Sequence, residues 1–467
     1  MFETSRRPVA PGTLAQEDPD GAPDTIASRL DRLPITPLHL TILAICTLGL
    51  FTDVAEVALS NALAAIFLAP PHSMPRGSLS LLLASVFAGG AVGAPIFGLI
   101  GDRFGRRTAL QATLVLMAVG SAAAAMSSGL TELTVARAVL GFAIGGFPPL
   151  AATYLADVMP PRRRGAMLMV CTGIGFLGGT AVILVVQALT PAPPLGIEAW
   201  RWALVLGAVL AVLGAALFAV LSDSPRWLAA VGRDVEAERA CRRFEAAWGI
   251  VPLGAAAEAT RHPQLPMHAS FWWLLAEPRQ RRRTALFVAL YALSPWATVG
   301  FPLLSAVVML GKSFRVDQSL VFAGLSMLGP PLGTLLAATV IDHLERRACL
   351  VTMAAALVVL GTAFAVGETF ATLVLLGLAF NTAAAIYGGL LAVYATELLS
   401  TASRASALTC AWAGGRVAAA LTPIVLLPVL DGYGIHAMFA VLTATLISSG
   451  ALVLSGPRGR SGRPVTR

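Results

Sequence analysis

Charge is what this chain has least of. Asp, Glu, Lys and Arg together make up 12% of its 467 residues, about half the share of an average soluble domain. Hydrophobic residues supply 57% and the mean hydropathy is +0.77. No water-soluble core hides that much apolar surface, so the chain belongs to the membrane class. Cysteine is scarce as well. The five (Cys46, Cys171, Cys241, Cys349 and Cys410) show no CxxC-like spacing, which excludes a disulfide framework and a zinc site. The six histidines, at 39, 72, 262, 268, 343 and 436, fall in loops or at span ends and form no nucleophile–base or metal constellation. No P-loop appears, so ATP chemistry is not implied. The expectation is a protein with no cofactor and no metal that is not an enzyme.

What is present is apolar runs. At about 20 apolar residues per crossing, twelve spans are predicted, at roughly 38–67, 78–101, 108–128, 131–156, 165–190, 199–221, 284–309, 318–341, 348–367, 369–396, 405–430 and 434–455. The expected fold is therefore all-α and integral to the membrane. Residues 1–34 are polar and rich in Pro, Ala and Asp and read as a disordered tail, with no apolar core that would make them a signal peptide.

The net charge of +8 does not point to nucleic acid, because of where it sits. Arg103, Arg106, Arg107, Arg162–Arg164, most of 222–283, Arg346, Arg347, Arg404 and the C-terminal arginines fall in alternate loops, and the loops between them hold little beyond Arg76, Lys312 and Arg315. This positive-inside pattern places both termini in the cytoplasm. The polar segment 222–283 separates six spans from six, and its stretch 234–247 reads as an amphipathic surface helix. The expected domains are the tail 1–34, a bundle over 35–221, the linker 222–283, a second bundle over 284–455 and a tail at 456–467.

The two bundles are copies of one unit. Gly98-Leu99-Ile100-Gly101-Asp102-Arg103-Phe104-Gly105-Arg106-Arg107 returns, degraded, 240 residues later as Ala338–Arg347, and Tyr154-Leu155-Ala156-Asp157 returns at the same offset as Tyr394-Ala395-Thr396-Glu397. Arg164 likewise returns as Arg404. Parallel six-span repeats of this kind face each other across a central cavity. Four-residue glycine spacings (Gly89/Gly93, Gly141/Gly145, Gly175/Gly179) allow close helix approach. The GxGxxG at Gly173–Gly178 lies inside an apolar span with no strand before it, so helix packing and not a dinucleotide explains it.

These motifs resemble those of the major facilitator superfamily. Gly98–Arg107 is similar to its signature turn between the second and third helices, and Arg137-Ala138-Val139-Leu140-Gly141-Phe142-Ala143-Ile144-Gly145 to its fourth-helix signature. Ser222-Asp223-Ser224-Pro225-Arg226-Trp227-Leu228 resembles the element after the sixth helix of sugar porters and organic-ion carriers, and Tyr394–Glu397 with Arg404 the one after the tenth. Phe51-Thr52-Asp53-Val54-Ala55-Glu56 is a partial match to the first-helix element of aromatic-acid/proton symporters and nicotinate-type porters. The resemblance covers about 35–455 and implies twelve helices in two pseudo-repeats, alternating access and a cytoplasmic gate. It assigns to that gate Gly98, Asp102, Arg103, Gly105, Arg106, Arg107, Asp157, Arg164, Arg226, Asp342, Arg346, Glu397 and Arg404. Since Ala338, His343 and Glu345 depart from the motif in the second copy, neutralising Asp102 is expected to impair transport more than neutralising Asp342.

Within the first span, Asp53 and Glu56 lie three residues apart on one helix face. An ionised carboxylate at that depth costs roughly 2.5–3.5 kcal/mol on insertion scales, so such a group faces water, pairs with a cation or takes a proton. The pair is the candidate proton-coupling site. Arg416, among small neighbours in the eleventh span, and Arg137 in the fourth are candidate partners for a carboxylate, on substrate or protein. Gln187, Tyr291, Trp296, Asn381 and Tyr387 are candidate pocket residues, and so few hydrogen-bonding side chains suit a planar ring better than a sugar. The expected function is proton-coupled uptake of an aromatic or heteroaromatic carboxylate by a monomeric carrier in the cytoplasmic membrane, with solute, protons and bilayer, and no nucleic acid, as partners. Proton-antiport efflux and a sugar or other metabolite porter are the alternatives within transport. A membrane-embedded enzyme and a non-transporting sensor are the alternatives outside it.

Overall fold

The computed structural model describes residues 25–161, 163–248, 278–340, 345–398 and 404–457, and among these it is built from helices. A short α1 (Ile26–Arg32) precedes six long helices: α2 (Pro37–Leu68), α3 (Arg76–Phe104), α4 (Arg106–Ala125), α5 (Leu130–Val158), α6 (Arg164–Leu189) and α7 (Ala199–Val220). Two helices of the linker follow, α8 (Pro225–Ala230) and α9 (Asp234–Ala246). The second half holds α10 (Pro278–Thr298), α11 (Gly300–Gly311), α12 (Val316–Ser326), α13 (Gly329–Val340), α14 (Arg346–Val366), α15 (Phe370–Leu398) and α16 (Arg404–Ser455).

Twelve crossings emerge once three interruptions are understood. The seventh is α10 plus α11 and the eighth α12 plus α13, each broken near proline (Pro295 and Pro302; Pro330 and Pro331) because proline has no N–H for the helical ladder. The eleventh and twelfth run together in α16, which turns at Gly434 with φ +80°, a left-handed value that glycine adopts without strain.

Close helix approach follows the glycines. A Cβ on Gly93 would lie 2.9 Å from the Phe142 Cα, and one on Gly145 would lie 2.6 Å from the Gly90 Cα, so α3 and α5 touch backbone to backbone. The Gly173–Gly178 stretch packs on α2, with Gly175 against Leu50 and Gly178 against Phe51. The duplication is visible in hydrogen bonds as well. The Tyr154 hydroxyl donates to Ser222 O at 2.7 Å, and its counterpart Tyr394 donates to Pro457 O at 2.6 Å. Arg107 reaches the last carbonyls of α7, Phe218 O and Ala219 O, at 2.9 and 2.6 Å, and Arg347 reaches Leu454 O at the end of α16.

Of the stretch 1–34 read as a disordered tail, residues 1–24 lie outside the described residues, and 25–34 are ordered on the first bundle. Thr25 caps α1, Leu30 is fully buried, and Arg29 clamps two carboxylates of α9, Glu238 at 2.6 Å and Glu245 at 2.8 Å. Beside Arg29, the Glu238 carboxyl is held below its usual range. The apolar side of α9 (Ala237, Ala240, Cys241, Phe244) is buried, so this helix rests on the first bundle.

Candidate functional site

The two acids of α2 have different partners. Glu56, 2% exposed, points among α4, α5 and α7. There Ser121 donates to its carboxylate, Arg137 Nη1 lies 3.6 Å away, and both terminal Arg137 nitrogens donate to Glu56 O at 3.2 Å. Arg137 also donates to Ser60 and is 1% exposed. Gly207 makes room: a Cβ there would sit 3.0 Å from the Glu56 Cδ. Glu56 and Arg137 thus form a compensated pair inside one half. This places Arg137 away from the expected pocket wall, since both its terminal nitrogens donate within its own bundle while Nε has no hydrogen-bond partner.

Asp53 is 3% exposed and its Oδ1 accepts no hydrogen bond. Its electrostatic partners are Glu56 and, from the other half, Arg416. The two do not form a direct ion pair, and Arg416 Nε also has no hydrogen-bond partner. Arg416 crosses the seam over Gly90 of α3, where its Cδ would stand 3.7 Å from a Cβ. Its guanidinium lies 5.4 Å from the ring centroid of Trp412, one turn earlier on α16, and Trp412 lies 6.3 Å from Tyr291. The structure therefore brings together Asp53, Arg416, Trp412 and Tyr291. Trp412 escaped the sequence reading, although its i,i+4 spacing to Arg416 was the available signal.

The other pocket candidates go elsewhere. Asn381 donates to Ser326 O at 3.0 Å. In an unbroken helix that carbonyl would receive the N–H of residue 330, which is proline, so Asn381 repairs the α12–α13 break. Tyr387 is fully buried with its hydroxyl on Ser449. Trp296 packs partly buried against an apolar core drawn from both halves, and Gln187 stands two residues from the end of α6. None of the four is among the groups gathered at Arg416.

At the basic face, Asp223 gathers three backbone donors. Its Oδ1 accepts from the backbone N–H groups of Arg106 at 3.0 Å, Arg107 at 3.4 Å and Ser224 at 2.9 Å, filling the free donors that begin α4. Burial pushes its carboxyl up from the ordinary value, against those amides. Gly105, at φ +104°, is required here, since a Cβ would meet the Asp223 Cγ at 2.8 Å. Asp102 is by contrast exposed and paired with Arg106 on the next turn, while its carbonyl accepts from Trp227 Nε1 at 3.1 Å. Arg103 is exposed beside the Phe104 ring, and Gly98 faces open space. Asp157 interacts with Arg106, Arg226 and Arg164, and Arg226 is shared with Asp31 of the N-terminal segment. In the second half Arg346 is buried at 4% exposure. Asp342 and the side chains of Glu397 and Arg404 lie outside the described residues.

Among the described residues, the hydrogen bonds and ion pairs that join the halves lie at the opposite face. Asn61 Nδ2 donates to Ser305 Oγ at 2.9 Å, Ala306 N donates to Asn61 Oδ1 at 3.2 Å, and Arg76 Nε meets Asp431 at 2.8 Å. These contacts tie the halves together at the face away from the arginine-rich loops.

Comparison with known proteins agrees with this architecture. Residues 55–455 match the family described as "Sugar (and other) transporter". The chain is 27% identical over 450 residues to the inner membrane metabolite transport protein YdjE of Escherichia coli (strain K12), covering 92% of this chain and 95% of that one. It is 24% identical over 433 residues to the niacin transporter NiaP of Acinetobacter baylyi (strain ATCC 33305 / BD413 / ADP1), covering 92% and 96%. In fold it is similar to the xylose transporter XylE from E. coli in a partially occluded inward open conformation, with a TM-score of 0.70 at 18% identity over 90% of this chain and 98% of that one. Two six-helix repeats with these motifs, matched over nearly the whole length, make the protein a multi-pass transporter that belongs to the sugar (and other) transporter family of the major facilitator superfamily.

Proposed function

We propose that the protein is a proton-coupled carrier that takes up a small organic anion, an aromatic or heteroaromatic carboxylate, across a bacterial inner membrane. Its basic face and both termini lie in the cytoplasm, and the structure is then the state closed to the outside. The observation that supports this reading is the unsatisfied Asp53–Arg416 pair beside Trp412 and Tyr291. An ionised Asp53 draws the Arg416 charge toward itself. Protonation of Asp53 releases the guanidinium for a solute carboxylate, which it binds through paired donors, while the Trp412 and Tyr291 faces suit a flat ring. When the solute leaves to the cytoplasm, Arg416 turns back to Asp53 and the proton departs. Glu56, already neutralised by Arg137, holds the site from behind.

A second reading, a sugar porter, is favoured by the family description. Purified protein in proteoliposomes with an inward-directed proton gradient separates the two. Labelled benzoate or nicotinate should accumulate and be lost on adding a protonophore, with xylose at background. Xylose accumulation with both acids at background would establish the sugar porter, and proton-driven extrusion of the acids would establish efflux.

A further inference from the structure

Near the Asn61–Ser305 contact, on the face opposite the arginine-rich loops, a cavity of about 490 Å³ lies between the halves. It is lined by the ends of α2 and α11 and by Arg76, Phe314 and Arg315. Asn61 and Ser305, which tie the halves, lie one to two helical turns from the lining residues Leu68 and Leu310. Asp53 is eight residues further along α2, roughly 12 Å at the helical rise. The cavity is thus the antechamber of the transport path.

Arg76 has two relations to this cavity. Its Nε holds Asp431 of the other half at 2.8 Å, while its Nη1 is buried without a hydrogen-bond partner. A guanidinium presents five donors, so this one has capacity for a second anion. Asp431 is 59% exposed, and exposed pairs of this kind are weak. Arg315, 81% exposed and paired with Asp317 at 3.1 Å, adds a second positive charge at the rim.

We propose that this antechamber is a capture site for the carboxylate of the incoming solute, in which Arg76 exchanges Asp431 for the solute and so unfastens the outer tie between the halves. The inference rests on the organic-anion reading above. Phe314 gives the solute an apolar wall, and the passage opens where a solute is waiting.

The test is equilibrium dialysis of labelled benzoate against the full-length purified protein, with folding checked by gel filtration and thermal unfolding. The Arg416→Ala background removes the inner site and isolates the antechamber. In that background saturable binding should persist, weaken at least five-fold on adding Arg76→Gln, and tighten several-fold on adding Asp431→Asn, which removes the competing carboxylate. A tie that is only structural loses the same bridge in both variants. Shifts of Arg76→Gln and Asp431→Asn in the same direction, no residual binding in Arg416→Ala, or displacement of benzoate by equal chloride would each overturn the proposal. Equal binding by Arg416→Ala and the unmodified protein would instead count against the inner site of the proposed function, leaving the Arg76 and Asp431 arms to judge the antechamber separately.

Discussion

The two halves descend from one unit, yet they divide the labour unequally. The first half holds both membrane acids and a compensated arginine (Glu56 with Arg137), and it caps α4 with Asp223. The second half keeps the tyrosine and arginine ties of the repeat (Tyr394 to Pro457, Arg347 to Leu454) and contributes Arg416, whose Nε has no hydrogen-bond partner. In one half the arginine's terminal nitrogens are bonded within its own bundle, and the other half presents a cation across the seam. A carrier needs that asymmetry: a charge satisfied within its own bundle has no reason to respond when the halves move, whereas one facing across the seam changes its surroundings at every step of the cycle.

The two buried arginines offer the strongest way to break the comparison. Arg137→Ala leaves Glu56 as an uncompensated buried carboxylate and should cost about 3–5 kcal/mol, read as a large drop in Tm. Arg416→Ala removes no hydrogen bond at Nε and should leave Tm little changed while weakening benzoate binding at least ten-fold. Equal effects on Tm would erase the distinction between the arginine bonded in its own bundle and the one presented across the seam. A smaller effect is expected from Asp223→Ala, which uncaps α4 at roughly 0.5–2 kcal/mol, again read by thermal unfolding. Tyr154→Phe and Tyr394→Phe should each lose about 1 kcal/mol and match one another, because each deletes one hydroxyl-to-carbonyl bond at equivalent places. A marked inequality would show that the shared ties are not equivalent.

The smallest effect concerns the N-terminal segment. Since Arg29 depresses the Glu238 carboxyl, docking of α1 gains from that pair above the ordinary glutamate value and loses it as pH falls through the lowered one. Hydrogen exchange of α1 should therefore accelerate as pH falls from the ordinary glutamate value through the lowered one, and Arg29→Ala should remove that pH dependence.

Sequence reading located the crossings, the repeat and the acids, because the 240-residue offset and apolar run lengths are one-dimensional facts. It did not reveal which acid was compensated. Asp53 and Glu56 are about 60° apart around α2, and the rotation of α2 among its neighbours decides which one meets Arg137. Asn381 and Tyr387 looked functional because polar groups in a membrane usually are. Asn381 answers a carbonyl freed by Pro330, a relation across helices that spacing along one helix does not show. Asp102 is among the gate residues expected from the motif, whereas the acid that receives the backbone donors at the start of α4 is the partly buried Asp223, reached from 117 residues away. The docked α1 was missed because its seven residues are too few for a periodic signal to stand out.

The central claim is that Asp53, and not the compensated Glu56, carries the coupling proton. It is tested most directly by Asp53→Asn in proteoliposomes, with benzoate accumulation under a proton gradient and gradient-free counterflow measured on the same preparation. Proton-driven accumulation should vanish while counterflow persists. Accumulation at the unmodified level would contradict the account.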